Sequence, residues 1–224
     1  MVSKQSDHSS IGGFLQRVEE SLDSNRAADV EKRHESGYRT ARENLDQLVD
    51  DGSFLEYGQF AVAAQRSRRS AEELKSKTAA DGVITGLATI NSDLFGGLRS
   101  QAAVIINDYM SLAGTQGFFH HQKIDRMLEV ATQKALPVIM YTEGGGGRPG
   151  DTDVATQIAG LNITTWLVWS QLAGVVPRIA VNNGYCFAGN AALFGCADIR
   201  IATKTSWIGM AGPAMIEGGG LGSF

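Results

Sequence analysis

Apolar positions along the chain switch between two spacings, and each switch marks out an element. Phe14, Val18, Leu22 and Val30 stand at helical intervals among charges, which predicts a surface helix running towards Arg33 with a break near Asp23 to Asn25. Thr40 is followed three residues on by Glu43 and then by Leu45, Leu48 and Val49. That is the pattern of a short capped helix, stopped by Asp50, Asp51 and Gly52. Phe54 to Tyr57 reads as an extended piece, and the almost wholly polar stretch from Gln65 to Lys77 as a surface excursion. Val83 to Ile90 and Ala102 to Asn107 carry β-branched residues on either side of the Gly96-Gly97 turn, predicting an adjacent strand pair. Helices and strands then alternate. A helix over 121–134 presents Ile124, Met127, Leu128 and Ala131 on one face, and a strand follows over 136–140. A helix runs from Thr152 or Asp153 to Leu172, then a strand over 178–181, a helix through Gly189 to Phe194 and a strand over 199–202. Buried strands alternating with helices predict an α/β layered fold without an internal repeat.

Composition narrows the class further. Of 224 residues 43% are hydrophobic and 20% charged, enough for a real core in one large domain or two small ones. With 24 acidic residues against 20 Lys and Arg the formal charge is −4, and the densest basic run, Arg66 to Arg69, is too short for a nucleic-acid surface. No stretch reaches the roughly 18 apolar residues of a membrane span. Met1 to Ser10 forms a polar arm with no hydrophobic signal core, so the expectation is a cytoplasmic protein. Cys186 and Cys196 both sit in apolar surroundings and read as buried thiols of a reducing compartment.

Glycine is the departure, with 27 residues gathered at strand ends. Gly144 to Gly147 follow the 136–140 strand, and Gly184 and Gly189 flank the turn after the next one. Such positions let a ligand reach backbone N–H groups with no Cβ in the way, while a following helix directs its positive end at developing negative charge. They build either an oxyanion site or merely tight turns. The run lacks the Lys-Ser/Thr ending of a phosphate-binding loop and is not a dinucleotide fingerprint. Glu143, Asp151 and Asp153 have no paired histidine, so no metal is expected. His120 and His121 enter a helix together, one expected to face solvent and the other to cap or pack, and no Ser-His-Asp or Cys-His pairing is visible. Trp166 and Trp169 read as a packed helix or a subunit contact.

An ordered series of short motifs then carries a resemblance. It runs from Tyr38-Arg39-Thr40-Ala41-Arg42-Glu43 through Asp51-Gly52-Ser53-Phe54-Leu55-Glu56, Asp81-Gly82-Val83-Ile84-Thr85-Gly86 and Asn107-Asp108-Tyr109. It continues with Gly114-Thr115, His121 with Lys123, and Leu136-Pro137-Val138. The most telling segments are Glu143 to Asp151, Gly184 to Asn190, and Gly209 to Gly218. Over about 190 residues the chain resembles the N-terminal domain of the carboxyltransferase component of biotin-dependent acyl-CoA carboxylases, in the crotonase-like superfamily. Glu143, where the usual stretch has Ser, is similar to the large single-chain or long-chain acyl-CoA carboxylase branch.

The resemblance implies the N-terminal half of a crotonase-like (ClpP/crotonase) layered β-β-α superhelix. Residues 1–32 would be an arm and surface helix, and 33–224 a domain truncated at its C-terminal end. It implies a thioester enolate held by one N–H donor at Gly189 and one in the Gly145-Gly146 run, with Asn190 beside them. Gly144, Gly147, Arg148 and Ala188 would contact coenzyme A, with no metal. Carboxybiotin on a partner releases CO2, its ureido nitrogen takes the α-proton of the acyl-CoA, and the enolate attacks CO2. The hydratases' Glu beyond the oxyanion glycines is matched here by Ala192, beside Ala191, so hydratase chemistry loses its acid and base. Arg148 either anchors a CoA phosphate or braces the loop, and Glu143 either biases the pocket or pairs with Arg148.

The chain has no Met-Lys-Met biotin attachment motif and no ATP-grasp region. Biotin and ATP would therefore belong to biotin carboxyl carrier and biotin carboxylase partners, with a second carboxyltransferase domain supplied from elsewhere and a homo-oligomer expected. The alternatives are an acyl-CoA decarboxylase of the same kind and a noncatalytic scaffold half. Acyl length is open.

Overall fold

The computed structural model describes residues 11–154, 163–220 and 222. The expected arm over 1–10 and the 155–162 part of an expected helix lie outside the described residues. The chain begins with α1 (Ile11–Glu19), a 3-10 turn (Asp23–Asn25) and α2 (Ala27–Glu35), so the predicted break is present. Helix α1 buries none of its residues. Charge ties the following segment down: Arg26 pairs with Asp108 at 2.6 Å and Asp23 at 2.8 Å, and Arg33 of α2 pairs with Glu143 at 2.5 Å. The expected boundary after residue 32 falls inside α2.

Helix α3 (Ala41–Leu48) has the complete capping box anticipated from Thr40 and Glu43, and it buries Ala41 and Leu45. After β1 (Leu55–Tyr57), the polar stretch expected to be a surface excursion contains α4 (Ala71–Lys77). Ser70 and Glu73 form a second reciprocal cap and Leu74 is the one side chain α4 buries, too thin an apolar stripe to register as periodicity.

The strands β2 (Val83–Thr89) and β3 (Gln101–Asn107), separated by α5 (Ser92–Phe95), pair antiparallel with Val83 opposite Asn107 and Thr89 opposite Gln101. Next come α6 (Phe118–Lys134), β4 (Val138–Tyr141), α7 (Thr165–Gln171), β5 (Arg178–Asn182), β6 (Tyr185–Phe187) and α8 (Gly189–Gly195). The described chain closes with β7 (Ile199–Ala202), β8 (Trp207–Gly209) and α9 (Pro213–Gly218). The main sheet has the order β1-β2-β3-β4-β5-β7, antiparallel across its first three strands and parallel from β3 onwards. Strands β6 and β8, which the apolar pattern did not suggest, pair in a small parallel sheet.

Alternation along the strands sends side chains to two cores. Val83, Ile105 and Met140 meet Ile124, Met127 and Leu128 of α6, Trp169 of α7 and Leu193 of α8. On the other face Ile84, Val104 and Ile106 meet Ala41 and Leu45 of α3. Each fully buried large aliphatic side chain contributes roughly 1.5–3 kcal/mol, so helix, sheet and helix lock as three layers. The indole N–H of Trp169 donates to Leu193 O at 3.2 Å, which joins α7 to α8. Strand β7 differs from the buried strand expected: among the described residues it pairs only with β5, and Ile199 and Ile201 are each 52% exposed. Cys186 is buried as expected, whereas Cys196 follows the last turn of α8 and is exposed. Among the described residues no helix is long and apolar enough to cross a membrane.

Parallel strands β3, β4 and β5 end on the same side, so the segments after Asn107, Tyr141 and Asn182 come together at their carboxyl ends. In open α/β sheets this is where ligands bind.

Candidate active site

The segment after β4 is held almost atom by atom. Gly144 bridges to Cys186, its N–H donating to Tyr185 O at 2.7 Å and its carbonyl accepting from Phe187 N–H at 2.8 Å. A Cβ there would collide with Gly114 O and the Asn190 carboxamide, so only glycine fits. Gly145 N–H donates to Ala113 O at 3.0 Å, and Gly146 N–H donates to Asn190 Oδ1 at 3.0 Å. Gly146 has φ +91°, and a Cβ on it would lie 2.7 Å from Ala188 Cβ. Gly147 is exposed, bridges to Gln116, and has open space around its Cα.

The second glycine segment leads into α8. Ala188 takes φ +49° and ψ −117°, a conformation rare for a residue with a side chain and of the sort found at functional sites. Its N–H donates to Gly209 O and its carbonyl accepts from Ala192 N–H. Because Gly146 abuts Ala188, the residue after each, Gly147 and Gly189, flanks that contact. Among the described residues the N–H groups of Gly147 and Gly189 have no acceptor.

The residues expected to donate differ in whether their N–H groups are engaged inside the protein. Gly189 stands where a donor was expected. At Gly145 and Gly146, by contrast, both N–H groups are engaged inside the protein, and the open N–H lies at Gly147. Asn190 is fully buried and faces Gly146, joining the two glycine segments. Gly144 is turned inward and the main chain of Ala188 is engaged on both sides, so neither offers a ligand a free group.

Arg148 is turned inward. It is buried and paired with Asp81 and, at 3.6 Å, Asp151, while Nη2 donates to Thr115 O at 2.5 Å and Nε to Thr115 Oγ1 at 3.2 Å. Four of the five N–H groups of the guanidinium are spent on Asp81 and Thr115, and the fifth faces Asp151. Glu143 does not pair with Arg148. Its Oε2 accepts from Arg33, its Oε1 is buried without a partner, and burial pushes its carboxyl up to about 7 against the opposing pull of Arg33. The Arg33 guanidinium also stacks on Tyr38 and Tyr109, 4.6 and 5.2 Å from the ring centres.

Both histidines are buried, which corrects the expectation that one faces solvent. His120 Nδ1 lies 3.0 Å from Asp81 O and His121 Nδ1 lies 2.9 Å from Thr165 Oγ1. Burial holds the first well below its ordinary range and the second at about 4, so both are neutral packing groups at neutral pH. The Cys186 thiol is pushed up to about 11 by burial, far from a reactive thiolate. Glu143, Asp151 and Asp153 do not converge, since Asp151 binds Phe118 N–H and Gln65 while Asp153 binds the N–H groups of Arg66 and Ser67. A cavity of ≈ 210 Å³ opens beside Arg33 and is lined by Tyr38, Tyr109 and Tyr185. A larger one of ≈ 620 Å³ lies near α3, where Glu43, Asp46, Asp50 and Asp51 would repel an anionic ligand.

The carboxyl transferase domain family matches residues 32–218. The chain belongs to this family. The carboxyl transferase domain is 30% identical over 190 residues to the propionyl-CoA carboxylase beta chain of Cereibacter sphaeroides, covering 84% of this chain and 34% of that one. A solved single-chain, multi-domain long-chain acyl-CoA carboxylase superposes with a TM-score of 0.88 at 53% identity, over 96% of this chain and 21% of that chain. Transcarboxylase 12S, a hexamer solved with methylmalonyl-coenzyme A bound, superposes with a TM-score of 0.74 at 26% identity, over 96% and 40% of the two chains. The fold is therefore the crotonase-like α/β fold of carboxyltransferases, and the chain spans about a third of the length of the curated relatives it matches.

Two residues that contact the glycine segments had no signature in the sequence. Arg33 reaches Glu143 across 110 residues. Gln116 forms an isolated bridge with Gly147 in a segment whose composition says nothing of the glycines it meets.

Proposed function

We propose that the chain is the acyl-CoA half of a carboxyltransferase, binding the thioester of an acyl-CoA and stabilising its enolate through the N–H groups of Gly147 and Gly189. The observation that carries this reading is the pair of backbone donors left without acceptors on either side of the Gly146 and Ala188 contact. Enolisation concentrates negative charge on the thioester oxygen, so fixed donors bind the transition state more strongly than the ground state. Removing one such donor typically costs about 3 kcal/mol, on the order of a hundredfold in rate.

No acid or base from this chain is needed. Ala191 and Ala192 are inert, and the two histidines are buried and neutral. The carboxybiotin of a partner domain supplies the carboxyl group and a basic ureido nitrogen. This chain's own residues bind and orient: Asn190 fixes Gly146, Gln116 pairs with the segment of Gly147, and Arg148 ties the turn to Asp81. A biotin carboxyl carrier, a biotin carboxylase that uses ATP, and a second carboxyltransferase domain complete the reaction, in an oligomer. The decarboxylase direction uses the same enolate.

Isothermal titration of the chain with acetyl-CoA, propionyl-CoA, a long-chain acyl-CoA and free CoA tests the reading. Acyl-CoA should bind more tightly than free CoA, and Gly189→Pro, which removes the N–H and crowds Gln116 and Trp166, should lose that preference. A folded chain that binds none of the four compounds overturns the proposal.

A further inference from the structure

Gln116 touches both glycine segments. Its N–H donates to Gly146 O at 2.7 Å and its carbonyl accepts from Arg148 N–H at 3.0 Å, so its main chain runs alongside Gly147. Its side chain then turns towards α8, where Oε1 lies 2.5 Å from the point that a Cβ on Gly189 would occupy. The residue is only 4% exposed, yet among the described residues its carboxamide makes no hydrogen bond, and Nε2 is sequestered without an acceptor. Buried side-chain amides are almost always satisfied in native proteins, so an orphan of this kind needs a reason.

The reason lies in its surroundings. The N–H groups of Gly147 and Gly189 also lack acceptors, and Gln116 contacts the segments that carry both. The edge of Trp166 lies 2.9 Å from the same point beside Gly189. Three donors without protein acceptors among the described residues thus lie on segments that contact one another, an arrangement that matches an acceptor oxygen brought by a ligand.

We infer that the Gln116 carboxamide is a third donor to the thioester carbonyl oxygen of the bound acyl-CoA, adding a side-chain hydrogen bond to those of Gly147 and Gly189; this rests on the acyl-CoA reading above. A half-turn of the carboxamide about its broad, two-fold terminal torsion exchanges its two ends and brings the N–H to the Gly189 side. Gln116 then acts on the oxygen that becomes the enolate oxygen, and it recognises the carbonyl, not the nucleotide or the acyl tail.

The test compares propionyl-CoA with S-propyl-CoA, the thioether in which a methylene replaces the carbonyl. The native chain should bind the thioester more tightly. In Gln116→Met, which keeps the length but lacks the donor, thioester affinity should fall about tenfold while the thioether and free CoA bind as before. Gln116→Asn, which keeps an amide but withdraws it, should show the same selective loss and serves if the methionine variant does not fold. Equal loss of both ligands, or loss of neither, overturns the role of Gln116 and leaves the acyl-CoA reading standing. A native chain that binds none of propionyl-CoA, S-propyl-CoA and free CoA overturns the acyl-CoA reading, and this inference with it.

Discussion

Asn190 Oδ1 accepts the N–H of Gly146 at 3.0 Å, and this hydrogen bond joins the segment after β4 to the first turn of α8. Both residues are buried, so water cannot replace either partner. Asn190→Ala should therefore lower unfolding stability by about 1–3 kcal/mol in urea titrations, the cost of an unsatisfied buried group. Acyl-CoA affinity should fall with it, because the two glycine segments lose their common anchor.

Adjacent glycines should respond in opposite ways. A Cβ on Gly146 would press on Ala188 at 2.7 Å from a backbone with φ +91°, whereas a Cβ on Gly147 meets nothing within 4 Å. Gly146→Ala should lower the melting temperature by several degrees, at roughly 2–4 °C per kcal/mol for a chain of this size. Gly147→Ala should melt close to the native chain. Equal melting of the two variants would contradict the close approach of Gly146 to α8.

Arg148→Met would leave the buried carboxylates of Asp81 and Asp151 without their cation. Removing one partner of a buried pair costs about 3–5 kcal/mol. The loss should appear in denaturant unfolding without any ligand. Were Arg148 instead an anchor for a CoA phosphate, stability would hold and free CoA binding would disappear.

Glu143 gives a pH dependence of defined sign. Burial raises its folded-state carboxyl from 4.5 to about 7, so between those values the folded chain holds a proton that the unfolded chain has released. The contribution of Glu143 is full below about 4.5 and is lost as pH rises through 7, on the order of 3 kcal/mol at most. His121, held at about 4 by burial, works the other way, adding stability as pH rises towards its ordinary 6.5. The two are separated by difference: the stability of Glu143→Gln relative to the native chain should rise from pH 5 to pH 8. A constant difference across that range would show that Glu143 ionises normally.

Local order was legible in the residues themselves. The break between α1 and α2, the Thr40 and Glu43 cap, the β2 and β3 pair and the alternation of strands and helices through β4, β5, α8 and β7 all follow from short-range rules. Spacing, capping and steric preference act within one or two turns of chain, so they can be read along it. The placing of glycines at strand ends and the resemblance to carboxyltransferases were equally visible. Helix α4 escaped because one buried leucine makes no period, and the exposure of β7 and Cys196 because burial depends on what lies across space.

Which N–H groups remain open was decided by tertiary structure alone. Four consecutive glycines are equivalent in sequence, yet Tyr185 O, Ala113 O and Asn190 Oδ1 engage the first three and leave Gly147. The same holds for Arg148, whose carboxylate partners come from the segment before β2 and from its own turn, and for Glu143, whose partner comes from α2. Hydrogen bonds and ion pairs depend on distances of about 3 Å between atoms that the chain places tens of residues apart. Spacing and motif order therefore carried the elements and the family resemblance, and packing decided which backbone N–H groups are left open among the described residues.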